Sequence, residues 1–171
     1  MPAQLLLIRH AIAEDRTVFA RTGQPDGARP LTGEGRAKMR EHAEALRALV
    51  PRIDLLATSP FVRARQTADI VAGTYGIDPI DADVLAHGGD PADFIAWADA
   101  AGARGVVAGV GHEPDLSHLA AYCVTGSSRP LLVLKKGAAC LLTFPDTISL
   151  GGGSLDWLLT PKQLRLIARG R

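Results

Sequence analysis

The sequence predicts an α/β protein: a three-layer α/β/α sandwich built on a mostly parallel sheet with an antiparallel edge. Three observations predict it. Short apolar runs alternate with helical patterns as far as Gly126. The runs at 5–8 and 105–110 are almost continuously apolar, as strands covered on both faces are. Beyond Gly126 the alternation gives way to strand-rich segments, which suits an antiparallel edge.

Leu5–Ile8 reads as the first buried strand. A polar loop over 13–31 follows, carrying Gly23, Pro25, Gly27 and Pro30, and loops of that length are often functional. Thr32 is placed to cap a helix running to about Leu49, whose apolar stripe is Met39, Ala43, Leu46 and Val50. Pro51 ends it. Ile53–Ala57 is the second strand. Ser59 followed by Pro60 reads as an N-cap with proline at the first helical position, opening a helix to about Ala72. Ile80–Leu85 reads as a third strand, weakened by Asp81 and Asp83. Asp90-Pro91 starts a helix with Phe94, Trp97, Ala98 and Ala101 on one side. Gly105–Val110 is the fourth strand, and the helix after Pro114 carries Leu116, Leu119 and Cys123. Leu131–Leu134 and Ala139–Phe144 flank Lys135-Lys136-Gly137-Ala138, a hairpin signal. Ser154–Leu159 is the last strand, and Thr160-Pro161 caps a final short helix.

Composition bounds the function. The 171 residues, 47% hydrophobic and 22% charged, fit one domain, read at 1–171, and argue against disorder. Nineteen basic against eighteen acidic residues leave a net charge of +1, so no nucleic-acid partner is expected. Cys123 and Cys140 read as small core residues. No basic segment precedes the first apolar run, so it does not read as a signal peptide, and no stretch approaches a membrane span of about 18 residues. A monomeric, reduced, cytoplasmic protein with no membrane partner is expected.

Ligands of open α/β sheets bind beyond the carboxyl ends of the strands. The first strand ends in Arg9-His10. The second ends in Thr58-Ser59-Pro60, with Arg63 one turn into the next helix. The fourth ends in Gly111-His112. Two imidazoles and two guanidiniums thus reach one sheet edge from separate stretches of chain. Guanidinium forks suit a tetrahedral dianion such as phosphate. A neutral imidazole beside them can be a nucleophile toward phosphorus, and a second imidazole, if protonated, can stabilise charge on the equatorial oxygens. No carboxylate or cysteine spacing completes a metal set around His10 and His112, and adjacent arginines repel a cation. No metal and no cofactor are expected.

At these residues the sequence resembles the histidine phosphatase superfamily, the phosphoglycerate-mutase-like fold. Leu7-Ile8-Arg9-His10-Ala11 is similar to its Arg-His-Gly signature, the run from Ser59 to Ala68 to its second motif, and Gly111-His112 to its third. Three further stretches are similar to the SixA-type phosphohistidine phosphatases: Arg29-Pro30-Leu31-Thr32-Gly33-Glu34-Gly35, His112-Glu113-Pro114, and the run from Leu155 to Pro161. The resemblance implies that His10 is the nucleophile and passes through a phosphohistidine intermediate. It implies that Arg9, Arg63 and His112 complete the phosphate pocket, and that Arg29 reaches the substrate.

Two departures matter. Ala11 stands where the signature has glycine, so the backbone there needs no positive φ. The stretch Leu85-Ala86-His87-Gly88-Gly89-Asp90 lacks the glutamate that many relatives carry as general acid, and Asp90 reads as an N-cap. Expelling an alkoxide needs a proton donor, whereas a phosphohistidine ring leaves as neutral imidazole. The expected activity is therefore metal-independent removal of phosphoryl groups from a phosphohistidine-bearing protein. A small-molecule phosphomonoesterase and a non-catalytic phosphohistidine-binding module are the alternatives. Arg16 and Arg21 of the long loop could meet an acidic partner. His42 reads as a surface residue, His87 as a loop histidine, His118 as structural, Arg65 as solvent-facing, Glu113 as a helix N-terminal residue and Lys135-Lys136 as a solvated turn.

Overall fold

The strands, in chain order, are β1 (Ala3–Arg9), β2 (Leu55–Thr58), β3 (Ile80–Asp81), β4 (Val106–Gly111), β5 (Ala139–Phe144) and β6 (Ser154–Leu159). The helices are α1 (Arg16–Ala20), α2 (Gly33–Leu49), α3 (Val62–Tyr75), α4 (Pro91–Ala100), α5 (Asp115–Thr125) and α6 (Pro161–Arg169). The computed structural model describes residues 2–170; Met1 and Arg171, the ends of the domain read at 1–171, lie outside the described residues. The strands form one sheet in the order β3-β2-β4-β1-β5-β6. β3, β2, β4 and β1 run parallel, and β5 and β6 are antiparallel additions beside β1. The expected architecture is the one observed.

The continuous apolar run of β1 follows from its central place. Leu6 and Ile8 face a core shared with Met39, Leu46, Ala68, Val71 and Leu164 of α2, α3 and α6. Leu5 and Leu7 face the opposite core, with Phe94, Ala98, Leu116 and Leu119 of α4 and α5. All four β1 side chains are fully buried, each contributing about 1.5–3 kcal/mol of hydrophobic stabilisation. Caps set the helix starts as the sequence predicts. Thr32 accepts from the Gly35 N–H at 2.9 Å, Asp90 from the Ala92 N–H at 2.8 Å, and Thr160 forms a reciprocal capping box with Gln163. Both cysteines are free and buried, and burial pushes each thiol up to about 12.

Five readings need correction. The loop over 13–31 is structured: Asp15 caps α1, a 3-10 turn spans Asp26–Ala28, and Ala13 bridges to Leu31. Ser59 does not cap α3. Phe61 precedes the first helical residue, and the Ser59 hydroxyl turns toward His112 instead. β3 stops at Asp81, because β2 ends at Thr58 and offers one last carbonyl, to the Ala82 N–H. Leu131–Leu134 is no strand. Leu132 and Leu134 point inward, the Leu134 carbonyl accepts from the Arg9 guanidinium, and β5 pairs with β1 and β6. His42 is only 2% exposed, because Gly137 lies against its ring and the Arg165 guanidinium of α6 approaches from the other element.

The segment after β1 is seated on the start of α2. The Ile12 carbonyl accepts from the Thr32 N–H at 3.0 Å and lies where a Cβ on Gly35 would sit. Gly33, two residues earlier, faces open space. Gly35→Ala is expected to lower stability by roughly 2 kcal/mol through this backbone collision, while Gly33→Ala changes it by less than about 0.5 kcal/mol. Urea unfolding of both variants checks this, and equal midpoints would refute it.

Candidate active site

Parallel pairing sets the strand ends level. Arg9 pairs with Gly111, and the His10 N–H donates to the Gly111 carbonyl at 3.0 Å. On the other side of β4, the Ser59 N–H donates to the Val110 carbonyl at 2.9 Å. Arg9, His10, Ser59 and His112 therefore leave the sheet together, and the first turn of α3 adds Arg63. A tie fixes α3 to β1: Thr67 donates to the Arg63 carbonyl and accepts from the Ala11 N–H at 3.0 Å. Arg9, His10, Arg29, Arg63 and His112 all line one cavity of about 290 Å³, so the structure brings all five sequence-predicted residues together.

The two imidazoles are neutral and differently held. His10 is 5% exposed, and its Nδ1 lies 2.7 Å from the Ala11 carbonyl. A carbonyl only accepts, so Nδ1 carries the hydrogen and Nε2 keeps its lone pair. Burial above all, then the charges of Arg63, Arg9 and Lys136, push its pKa down to about 3. The His112 ring lies 5.2 Å away, centre to centre, and its Nε2 is 2.8 Å from the Ser59 hydroxyl. Burial first, then His10, His87 and the two arginines, push its pKa down to about 2.

The guanidiniums are steered by the ordered loop. Arg63, 1% exposed, donates to the Asp26 carbonyl at 2.9 Å and pairs with the Asp26 carboxylate at 3.1 Å. Arg29 donates Nε to the same carboxylate at 2.8 Å and Nη1 to the Glu14 carbonyl at 2.8 Å. The Arg29 hydrogen bond is the main reason the Asp26 carboxyl is held below the usual carboxylate range. Arg9 donates Nη1 to the Leu134 carbonyl at 2.8 Å. Arg9 Nε, Arg63 Nε, His112 Nδ1 and Glu113 Oε1 are buried and have no protein partner. Leaving such a group unsatisfied costs about 1–3 kcal/mol, more when it is charged.

Sequence reasoning missed four supporting groups. Asp26 joins Arg29 to Arg63 from within a loop that carried no pattern beyond its turn residues. Ser59 read as a helix cap. Thr67 read as part of a motif without a task. His87 packs against His112 with ring centres 4.3 Å apart and tilted by 36°, has Nε2 3.3 Å from Arg63 Nη2, and places Nδ1 3.0 Å from the Asp115 carboxylate. Its signal was position: it lies in the stretch where the resembled family carries glutamate. Arg65 pairs with Asp69 and Asp81 at the surface and does not line the cavity. Glu113 does line it and accepts from the Ser117 hydroxyl. Asp90 is the α4 cap, as read. Among the described residues no group of three or more His, Cys, Asp or Glu side chains is placed to hold a metal ion, and no helix is long and apolar enough to cross a membrane.

A family model for the histidine phosphatase superfamily (branch 1) matches residues 5–86. An uncharacterized protein of Picosynechococcus is 37% identical over 169 residues, covering 91% of this chain and 99% of the relative. The phosphohistidine phosphatase SixA of Escherichia coli is 28% identical over 168 residues, covering 95% of this chain and 97% of the relative. Among solved structures, the protein histidine phosphatase SixA complexed with tungstate superposes with a TM-score of 0.78 at 26% identity, over 94% of this chain and 99% of that one. A SixA structure from Agrobacterium tumefaciens, at 21% identity and a TM-score of 0.74 over 94% of this chain and 99% of that one, shares the fold.

The lowered imidazole pKa values set an acid limb far from the ordinary one. A histidine whose folded pKa is depressed is fully neutral above the unfolded value of about 6.5 and stays neutral until the pH falls through the folded value. His10 and His112 are expected to show neutral-ring nitrogen shifts by NMR from about pH 8 down to about pH 5. Titration of either ring near 6.5 would refute this.

Proposed function

The chain belongs to the histidine phosphatase superfamily and is a histidine-nucleophile phosphatase; from that premise we propose that it removes phosphoryl groups from protein phosphohistidine through a covalent intermediate on His10. One observation carries the reading. A neutral imidazole with its Nε2 lone pair free lines the same cavity as three buried donors without partners, on Arg9, Arg63 and His112. A tetrahedral dianion bound in this cavity would give these donors acceptors and present its phosphorus to Nε2. A relative that forms a complex with tungstate, also a tetrahedral oxyanion, supports the same use of the site.

In the first step His10 Nε2 attacks phosphorus in line. The new N–P bond forms as the substrate N–P bond breaks, and the bonding pair returns to the departing imidazole. With its other nitrogen protonated, that ring leaves neutral. Its conjugate acid has a pKa of about 6.5, against about 15.7 for water and comparable alcohols. The gap of roughly nine units is worth on the order of 12 kcal/mol if fully expressed. That difference replaces a dedicated acid. Both ring nitrogens of His87 are engaged, by Arg63 and Asp115, so His87 positions Arg63 rather than protonating the leaving group. In the second step water attacks the phosphoryl group, the bond to His10 breaks, and phosphate departs with the water oxygen. Arg9 and Arg63 hold equatorial oxygens throughout. His112 donates from Nδ1 when the Ser59 hydroxyl donates to its Nε2. The site needs no metal for either step.

Acid-stable trapping is unsuitable for an N–P bond, so the test uses an alkaline quench. Wild type should carry radiolabel from a ³²P-phosphohistidine peptide. His10→Ala should carry none and lose about 10³-fold or more in turnover, and Arg63→Ala should lose about 10²–10³-fold. A chelator should change nothing, and alkyl phosphates should turn over at least about 10²-fold more slowly than phosphohistidine. Turnover by His10→Ala within about 10-fold of wild type, or equal rates on the two substrate classes, would overturn the assignment.

A further inference from the structure

A second cavity, of about 390 Å³, adjoins the catalytic one: Arg9 and Lys136 line both. Its charged lining is entirely basic, with Arg9, Lys38, Lys135, Lys136 and Arg165 and no carboxylate, beside the buried His42 ring and an apolar surface that includes Ile12 and Pro161. Among the described residues neither lysine of the 135–136 pair makes an ion pair, and both are exposed. Arg165 has one guanidinium nitrogen 3.4 Å from His42 Nε2, and Lys38 pairs with Glu34. A net charge of +1 for the whole chain makes this a local concentration of positive charge.

The cavity is also joined to the catalytic strand end. The Gly137 N–H donates to the carbonyls of Arg9 and His10 at 3.2 and 3.1 Å, so the turn that carries Lys135 and Lys136 is fixed to the nucleophile's own backbone. Gly137 has φ +79°, and a Cβ there would come within 2.9 Å of the buried His42 Nδ1. The wall between the two cavities is therefore set by close packing and leaves the lysines at a defined distance from His10.

We infer that the second cavity is the docking site for an acidic segment flanking the phosphohistidine of the substrate protein. The inference rests on the proposed phosphohistidine reading. A macromolecular substrate that places its phosphoryl group beside His10 must lay neighbouring residues on the adjoining surface. The surface with unpaired cations around an apolar floor selects chain that carries carboxylates beside an apolar side chain. A second copy of this protein would bring a like-charged patch to the same place, which opposes association there. Attraction of this kind, at a solvated rim, lowers KM and is weakened by salt, while the chemistry at phosphorus is unaltered.

The test uses synthetic peptides with one histidine, phosphorylated chemically by phosphoramidate and flanked by Glu and Leu, Gln and Leu, or Lys and Leu. Wild type should show a KM about 10-fold lower for the Glu peptide than for the Gln peptide, with equal kcat, and the gap should close at high salt. Lys135→Glu combined with Arg165→Glu should reverse the preference and leave kcat/KM for free phosphoramidate unchanged. Lys135→Gln with Arg165→Gln, a milder pair, should abolish the preference. Equal KM values across the wild-type panel would overturn the docking site and leave the phosphatase reading standing. Loss of phosphoramidate turnover in both variant pairs would also overturn it, since these residues would then serve the chemistry or the fold. A wild type that forms a dimer dissolved by these substitutions would assign the patch to a second copy. Failure of wild type on every phosphohistidine probe, free phosphoramidate included, would instead remove the functional reading itself.

Discussion

The hydrogen bond from the His10 N–H to the Gly111 carbonyl continues the parallel ladder of β1 and β4 by one residue past Arg9. Everything chemical in the molecule depends on that register. A slip of one residue would carry Arg9 into the position of Ile8, or Gln4 into that of Leu5, and both positions are fully buried among apolar side chains. The hydrophobic pattern of β1 therefore fixes where Arg9 and His10 emerge. The same ladder, extended to β2, fixes Ser59 and the start of α3. Placement of His10 and the other strand-end residues is thus a consequence of core packing, and the Thr67 tie, Asp26 and the Leu134 carbonyl then orient the guanidiniums.

The site gathers positive charge and offsets part of it with carboxylates. Asp26 faces Arg63 at 3.1 Å and Arg29 at 2.8 Å and balances part of their charge. Arg9 faces Glu113 electrostatically, although burial remains the dominant influence on its guanidinium. The imidazoles avoid adding to the excess by staying neutral, which burial and the arginines both enforce. The arginines that help to keep His10 neutral also make the cavity attractive to a dianion. One electrostatic arrangement thus favours an anionic ligand and the neutral ring that the proposed reaction requires.

The sheet, its parallel core and its antiparallel edge were legible because burial on both faces writes a continuous apolar run and helices write a 3.6-residue period. His10, Arg9, Arg63 and His112 were legible because the strand ends can be located from those runs. What escaped was decided by pairing in three dimensions. The Leu131–Leu134 run looked like half a hairpin, yet its carbonyl at Leu134 serves Arg9. His42 looked exposed because its own helix stripe left it aside, and only the later α6 and the Gly137 turn cover it. Ser59 has a cap's sequence signature, but the His112 ring competes for its hydroxyl. Asp26 and His87 lie in loops, where no period records a contact.

Anion binding and proton affinity at this site are coupled, and the direction follows from the charges. His112 is held neutral by burial, by two neighbouring rings and by two arginines. A dianion between those groups offsets the arginine charges and gives Nδ1–H an acceptor, so it favours the protonated ring and raises the His112 pKa. By linkage, a proton on His112 then tightens the dianion by the same factor. The coupling grows as negative charge shifts toward the equatorial oxygens, and it disappears when phosphate leaves. In the proposed intermediate His10 would meet the opposite demand, because a lone pair bonded to phosphorus is no longer available to a proton. The two rings sit 5.2 Å apart in similar surroundings. In the proposed reaction one donates its lone pair to phosphorus while the other takes up positive character, and what separates these proposed roles is which nitrogen each has engaged: Nδ1 of His10 on a carbonyl, Nε2 of His112 on a hydroxyl.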